Sequence, residues 1–234
     1  MKIDVCFSPH EYQNDLYKDY TVVVIDVLRA TTCIATAFAN GCRTILPVET
    51  IEEAFNKKEQ QYPEALLAGE RQGLLIPGFN MGNSPSEYKR ELINGKTIIM
   101  TTTNGTIALK RAGEAGQIYT AAFVNAMAVC LKLKERLRNT VILCAGTEGR
   151  FSFEDALCAG LLSDRLSDIA VLADKALAVQ AMYRGVRANL TNKVMASTHA
   201  RYLTQIGFSE DIDMCLEHDL YAVTPIFENS MIRT

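Results

Sequence analysis

Residues 20–37 read YTVVVIDVLRATTCIATA, and the rest of the chain is organised around them. The run 22–25 is apolar and β-branched without interruption, the pattern of a strand buried on both faces of a sheet. It ends at Asp26. Arg29, Thr31 and Thr32 follow, then the small and apolar residues of a helix that stops at Asn40-Gly41, a left-handed stop signal. A carboxylate, a guanidinium and two hydroxyls therefore sit where a parallel strand hands over to a helix N-terminus. Ligands of open α/β sheets bind at that edge, outside the carboxyl ends of the strands, and a helix N-terminus offers free N–H groups to an anion. The same residues also read as a turn held by a salt bridge and a threonine cap.

Two later stretches repeat the plan of buried strand, polar loop and helix: TIIMTTTNGT at 97–106 and VILCAGTEGR at 141–150. Further strands are predicted over 2–7, 43–48, 65–68 and 116–121. Helices are predicted over 50–61, opened by the capping box of Thr50 and Glu53, then from Asn125, from Phe153 to about Ile169, and over 174–184 and 191–205. The tail 219–227 reads as extended, with Pro225 at a strand end. Between them lies GERQGLLIPGFNMGNSP (69–85), read as a glycine-rich loop without secondary structure, long enough to suggest function. It closes on Ser84 as a cap, Pro85 as the first helical residue and Glu87 completing a capping box. The fold expected is α/β, a layered, largely parallel or mixed sheet flanked by helices. It forms one compact unit without a clear linker.

Composition narrows the function. A formal charge of −3 and a pI near 5.7 argue against a nucleic-acid partner. No apolar run is long enough for a membrane span, and the N-terminus lacks the apolar core of a secretory signal. Seven cysteines with no C-x-x-C pair read as packing residues in a reducing compartment, so a cytoplasmic location is expected. His10, His199 and His218 show no partner pattern and read as structural or surface residues.

The predicted strand ends collect acids (Asp26, Glu70, Glu154, Asp155), cations (Arg29, Arg71, Arg150) and polar groups (Thr31, Asn80, Asn83, Thr103, Asn104, Thr106). This mixture suits a hard metal ion beside a phosphate. Magnesium takes oxygen ligands and keeps water and substrate in its octahedron; arginine binds phosphate bidentately; Thr-Asn-Gly-Thr at a helix start can cradle phosphate oxygens. No G-x-G-x-x-G, G-x-x-x-x-G-K-[ST] or G-x-S-x-G motif is present. Asp26-Val27-Leu28 also lacks the second acid of an aspartyl-phosphate phosphatase of the haloacid dehalogenase kind.

Taken together, IDVLRATT (25–32), GER (69–71), IPGFNMGNSP (76–85), TTTNGT (101–106), CAGTEGRFSFEDALCAG (144–160) and the tail at 219–225 resemble the 2-phosphosulfolactate phosphatase family, in order and over nearly the whole chain. Asn80 stands where that family is expected to carry an aspartate. The resemblance implies two intertwined halves with the site between them, and a magnesium-dependent hydrolase of coenzyme M biosynthesis that removes phosphate from 2-phospho-3-sulfolactate. It assigns catalysis to Asp26, Arg29, Glu154 and Asp155, and Mg2+ to Asp26, Glu154 and Asp155. The small anionic phosphorylated substrate falls to Thr31, Glu70, Arg71, Asn80, Asn83, Ser84, Thr103, Asn104, Gly105, Thr106 and Arg150. Asp26 stays open between metal ligand and nucleophile, and a homodimer is a guess. Two alternatives are a phosphatase for another small phosphorylated acid and a non-catalytic small-anion binder on the same fold.

Overall fold

The computed structural model describes residues 1–113 and 115–234. Among the described residues the strands are β1 (Lys2–Cys6), β2 (Thr21–Ile25), β3 (Thr44–Pro47), β4 (Leu66–Arg71), β5 (Leu74–Leu75), β6 (Thr97–Thr101), β7 (Gln117–Ala121), β8 (Thr140–Cys144), β9 (Val171–Leu172), β10 (Ile226–Glu228) and β11 (Met231–Arg233). They form one mixed sheet in the order β5-β4-β6-β3-β11-β10-β7-β2-β8-β1-β9. β4, β6 and β3 run parallel to one another, as do β7, β2, β8, β1 and β9. The hairpin β10–β11 joins the two sets through antiparallel pairings to β7 and β3. β3 and β7 therefore run in opposite directions.

Sheet twist explains how carboxyl ends from both sets can meet. The six steps from β4 to β2 accumulate roughly 120–150° at about 20–25° each. That swings the end of an oppositely directed strand toward the same crevice. One helix crosses between the sets: Gly105–Arg111, which follows β6, packs on β2, whereas helix Ala30–Ala39, which follows β2, packs on β7 of its own set. The expected α/β class, a mixed sheet flanked by helices, is the fold found.

β2 shows why the central strand is rigid. Val22 and Val24 enter one core with Cys33, Ile34 and Phe38, while Val23 and Ile25 enter the other with Leu157 and Leu161 of helix Phe153–Leu166. Each fully buried Val or Ile contributes about 1.5–3 kcal/mol, so the backbone that delivers Asp26 is held from both faces.

Several local expectations are corrected. The stretch 69–85 is partly a hairpin: β4 continues through Glu70 and Arg71, Gln72 and Gly73 turn with φ of 52° and 73°, and β5 pairs back. Two successive positive φ values match the twist of a tight hairpin. Ser84 caps nothing; its hydroxyl donates to Asp211 Oδ1 at 2.6 Å, and the short 3-10 turn Pro85–Glu87 follows, then the one-turn helix Arg90–Ile93. Glu87 accepts instead from Gly82 N at 2.6 Å. Asn125 accepts from Ala122 N at 2.9 Å, so helix Ala126–Arg136 starts without a side-chain cap. The helix expected over 191–205 is two, Leu190–Met195 and Thr198–Gln205, the second capped by Ser197, which accepts from Ala200 N at 3.2 Å. Helix Ser209–Leu216 follows, and the extended tail pairs as a strand only from Ile226. All seven cysteines are buried free thiols, and no helix of the described residues is long and apolar enough to cross a membrane.

Candidate active site

A cleft of about 710 Å³ opens where these ends converge. The loop after β2 supplies Asp26, Leu28 and Arg29; the β4–β5 hairpin supplies Glu70, Arg71, Gln72 and Gly73. Asn83, Thr103 and Asn104 line it, with Thr147 and Glu148 from the loop after β8 and Thr198, His199 and Tyr202 from helix Thr198–Gln205.

Asp26 is fixed through its backbone and left open at its side chain. Thr31 Oγ1 accepts from Asp26 N at 2.9 Å and donates to Asp26 O at 2.8 Å. Thr31 thus acts on Asp26 rather than in the cleft wall. The carboxylate accepts from Ala30 N at 3.3 Å through Oδ1, and no described residue donates to Oδ2. Only 6% of Asp26 is exposed, and burial pushes its pKa up to about 6; His199 and the Ala30 N–H oppose the rise, and the charges of Glu70 and Glu154 add to it. Gly105 is required here. A Cβ would lie 2.7 Å from Ala30 Cβ and 2.8 Å from Asp26 Oδ2, closing the space beside the carboxylate.

The other three acids are employed differently. Glu70 brackets the two walls: Oε1 accepts from Thr103 N and Oγ1, both at 2.8 Å, and Oε2 accepts from Gly73 N at 2.8 Å. Asp155 ties the loop after β2 to the loop after β8, accepting from Val27 N at 2.8 Å and from Gly146 N at 3.1 Å. Burial, with the charges of Asp26 and Glu154, raises its pKa well above the usual carboxylate range against the pull of those donors. Glu154 is buried and accepts from Ser197 Oγ at 3.3 Å.

Among the described residues no three His, Cys, Asp or Glu side chains converge to hold a metal ion. The set of Asp26, Glu154 and Asp155 is therefore not assembled as one, because both oxygens of Asp155 serve the backbone. Asp26 still fits a hard cation. It is desolvated among like charges, it keeps an undonated oxygen, and magnesium commonly takes only one or two carboxylates.

The arginines are anchored. Arg29 is 2% exposed; its Nη1 pairs with Asp211 at 2.6 Å, its Nη2 donates to Gly73 O at 2.7 Å, and Phe208 lies 4.2 Å beneath the guanidinium. Arg71 donates to Glu70 O at 2.7 Å, Thr101 Oγ1 at 2.9 Å and Glu49 O at 3.0 Å. Arg71 faces the cleft without a carboxylate partner among the described residues, whereas the charge of Arg29 is paired with Asp211; the N–H groups of both fix the walls. Arg150 does not line it. Arg150 and Thr147 exchange backbone bonds at 3.0 Å across the turn Glu148-Gly149, and the side chain is exposed.

Asn80 also lies outside the wall, where Oδ1 accepts from Leu67 N at 2.8 Å. Thr106 is paired with Thr102, donating to its carbonyl at 2.8 Å. Asn104 accepts from Glu148 N at 3.1 Å, joining two walls. Asn83 is different: it lines the cleft, is 6% exposed, and its Oδ1 has no partner. An unpartnered buried amide costs about 1–3 kcal/mol, a cost that a bound ligand would offset.

His199 and Asp211 are the site residues that sequence reasoning missed. His199 Nε2 lies 2.9 Å from Leu28 O, and its ring stacks on Tyr202 at 6.4 Å between centroids. Asp211 holds Arg29 and Ser84 at once. Neither sits in a local motif, and only the packing of the last helices brings them to β2. A second cleft of about 730 Å³ lies beside the β10–β11 turn, where Lys110 and Glu49 pair at 3.3 Å.

The family model described as 2-phosphosulpholactate phosphatase matches residues 6–230. A protein of Clostridium acetobutylicum named "Probable 2-phosphosulfolactate phosphatase" is 38% identical over 236 residues, covering 99% of this chain and 100% of that protein. A protein of Thermotoga maritima with the same name is 43% identical over 211 residues, 90% of each chain. One from Clostridium tetani, again so named, is 37% identical over 235 residues, covering the whole of both chains.

Proposed function

The chain belongs to the 2-phosphosulfolactate phosphatase family, and we propose that it hydrolyses the phosphate monoester of 2-phospho-3-sulfolactate to sulfolactate and phosphate with magnesium in the cleft. The observation that supports this most directly is the Asp26 carboxylate, which is buried, has a raised pKa and keeps Oδ2 without a donor at the end of β2. Uncatalysed phosphate-monoester hydrolysis is among the slowest reactions known, and about 20 kcal/mol or more of barrier lowering is required. In phosphoryl transfer most of that comes from positioning and charge neutralisation.

Asp26, with Glu154 as its neighbour, would hold the cation. Bound there, magnesium supplies charge neutralisation at the phosphoryl oxygens and acidifies a water. The protein's own groups do the rest. Arg71 presents positive charge to an anion, and Arg29, paired with Asp211, holds the wall beside it. Glu70 and Asp155 keep the loops that carry them in register. Asn83 Oδ1, an acceptor without a partner, would accept from a water in the cleft.

Phosphate release should be measured from 2-phospho-3-sulfolactate and from a panel of other phosphorylated acids, after chelation and with magnesium restored. Release should be fastest from phosphosulfolactate and only with magnesium present. A higher kcat/KM on another acid would move the substrate, and full activity in the chelated protein would remove the metal. Release from none of them would favour a small-anion binder.

A further inference from the structure

Among the described residues His199 is the one histidine in the cleft wall, and its hydrogen bonding fixes which ring nitrogen can exchange a proton. Leu28 O, 2.9 Å from Nε2, is a carbonyl and can only accept, so Nε2 carries hydrogen throughout. The proton that comes and goes therefore sits on Nδ1, for which no described residue is a partner. The ring is held in place by that bond and by stacking on Tyr202. Its helix starts at a Ser197 cap, whose hydroxyl also reaches Glu154. The ring is close enough to Asp26 for its charge to oppose the rise in the carboxyl's pKa. A rigidly placed proton carrier thus lines the crevice beside the loop that follows β2.

We propose that His199 is a catalytic residue for the phosphatase reaction, the donor of the proton that the departing oxygen of the substrate needs. The inference rests on the phosphatase reading above. The leaving group of an alkyl phosphate is a strongly basic alkoxide, and the arginines of the wall cannot supply a proton at neutral pH. In the step, the oxygen of a water molecule forms the new bond to phosphorus and the phosphorus–oxygen ester bond breaks. The ester bond's electron pair goes to the substrate oxygen, which takes the Nδ1 proton and departs as the hydroxyl of the product. One proton of the attacking water stays on phosphate; the other returns, through solvent, to Nδ1. Giving up the Nδ1 proton leaves His199 in the Nε2–H form that Leu28 O holds.

The test compares His199→Gln with the wild type on two magnesium-loaded reactions, 2-phospho-3-sulfolactate and p-nitrophenyl phosphate. The nitrophenolate leaves without protonation, so only the alkyl ester depends on the donor. Loss of a general acid costs about 10²- to 10⁴-fold. kcat on phosphosulfolactate should fall by at least about 100-fold, with kcat on the aryl ester within about fivefold of wild type. The ratio of the two rates within one preparation does not depend on the fraction of variant that folds. Equal losses on both substrates, or none on either, would overturn the proposal while leaving the phosphatase reading intact. A wild type that turns over neither ester would sink that reading, and this one with it.

Discussion

Asp26 and Glu70 are both acids at the end of a buried strand, on facing walls of one cleft, yet they are employed in opposite ways. Glu70 accepts three hydrogen bonds from two loops and uses both oxygens to hold the walls together. Asp26 is held by its backbone, through Thr31, and leaves a carboxylate oxygen undonated in a buried, like-charged setting. A strand-end position delivers an acid to the crevice, but the hydrogen bonds it accepts decide whether it builds the site or works in it. The same distinction separates Glu154, with one hydroxyl donor, from Asp155, whose two oxygens serve the backbone.

The largest effect that comparison predicts is at Asp26. Asp26→Asn should lower kcat by at least about 10³-fold, since phosphoryl transfer depends mainly on positioning and on neutralising charge at the phosphoryl group. It should also stabilise the metal-free protein near neutral pH. The folded-state pKa of Asp26 is raised to about 6 from 3.8, so the folded state binds more protons than the unfolded one between those values. The contribution of this group is therefore favourable at low pH and is lost as pH rises through about 6. Metal-free wild type should gain up to about 3 kcal/mol relative to Asp26→Asn between pH 7 and pH 4, read by denaturant melts. A parallel pH profile for the two proteins would contradict this.

Glu70→Gln should do the reverse. One carboxylate oxygen is replaced by an NH2 that faces an N–H donor, so folding stability should fall by about 1–3 kcal/mol. Turnover should fall less than at Asp26. A Glu70 variant that melts like wild type but has lost turnover would put Glu70 in the chemistry. The smallest effect belongs to Arg150. Its side chain is exposed and outside the cleft, so Arg150→Ala should leave kcat/KM within about twofold and stability within about 0.5 kcal/mol. A tenfold rise in KM would return it to the substrate.

The contrast between the two acids also explains what the sequence could disclose. Residues 20–37 foretell a buried strand that delivers Asp26 to a loop, because that pattern is local. The same holds for 97–106 and for Glu70-Arg71 after β4. The pairing of Arg29 with Asp211 is not legible, since the partners lie 182 residues apart and meet only when helix Ser209–Leu216 packs. Nor is His199, whose single informative contact is a carbonyl 171 residues away. The reversal between the two parallel sets depends on β10–β11, a pair of three-residue strands whose short apolar pattern resembles any extended tail. Asn80, Ser84 and Asp155 misled for one reason: a polar residue at a loop end reads alike whether it holds a backbone group or a ligand.

The most direct test of the division between the two acids is a magnesium titration of wild type, Asp26→Asn and Glu70→Gln by calorimetry, each protein first shown to be folded. Affinity should fall by at least about tenfold, or 1.4 kcal/mol, in Asp26→Asn and stay within about threefold of wild type in Glu70→Gln. Unchanged magnesium affinity in Asp26→Asn, with a large loss in Glu70→Gln, would contradict that division.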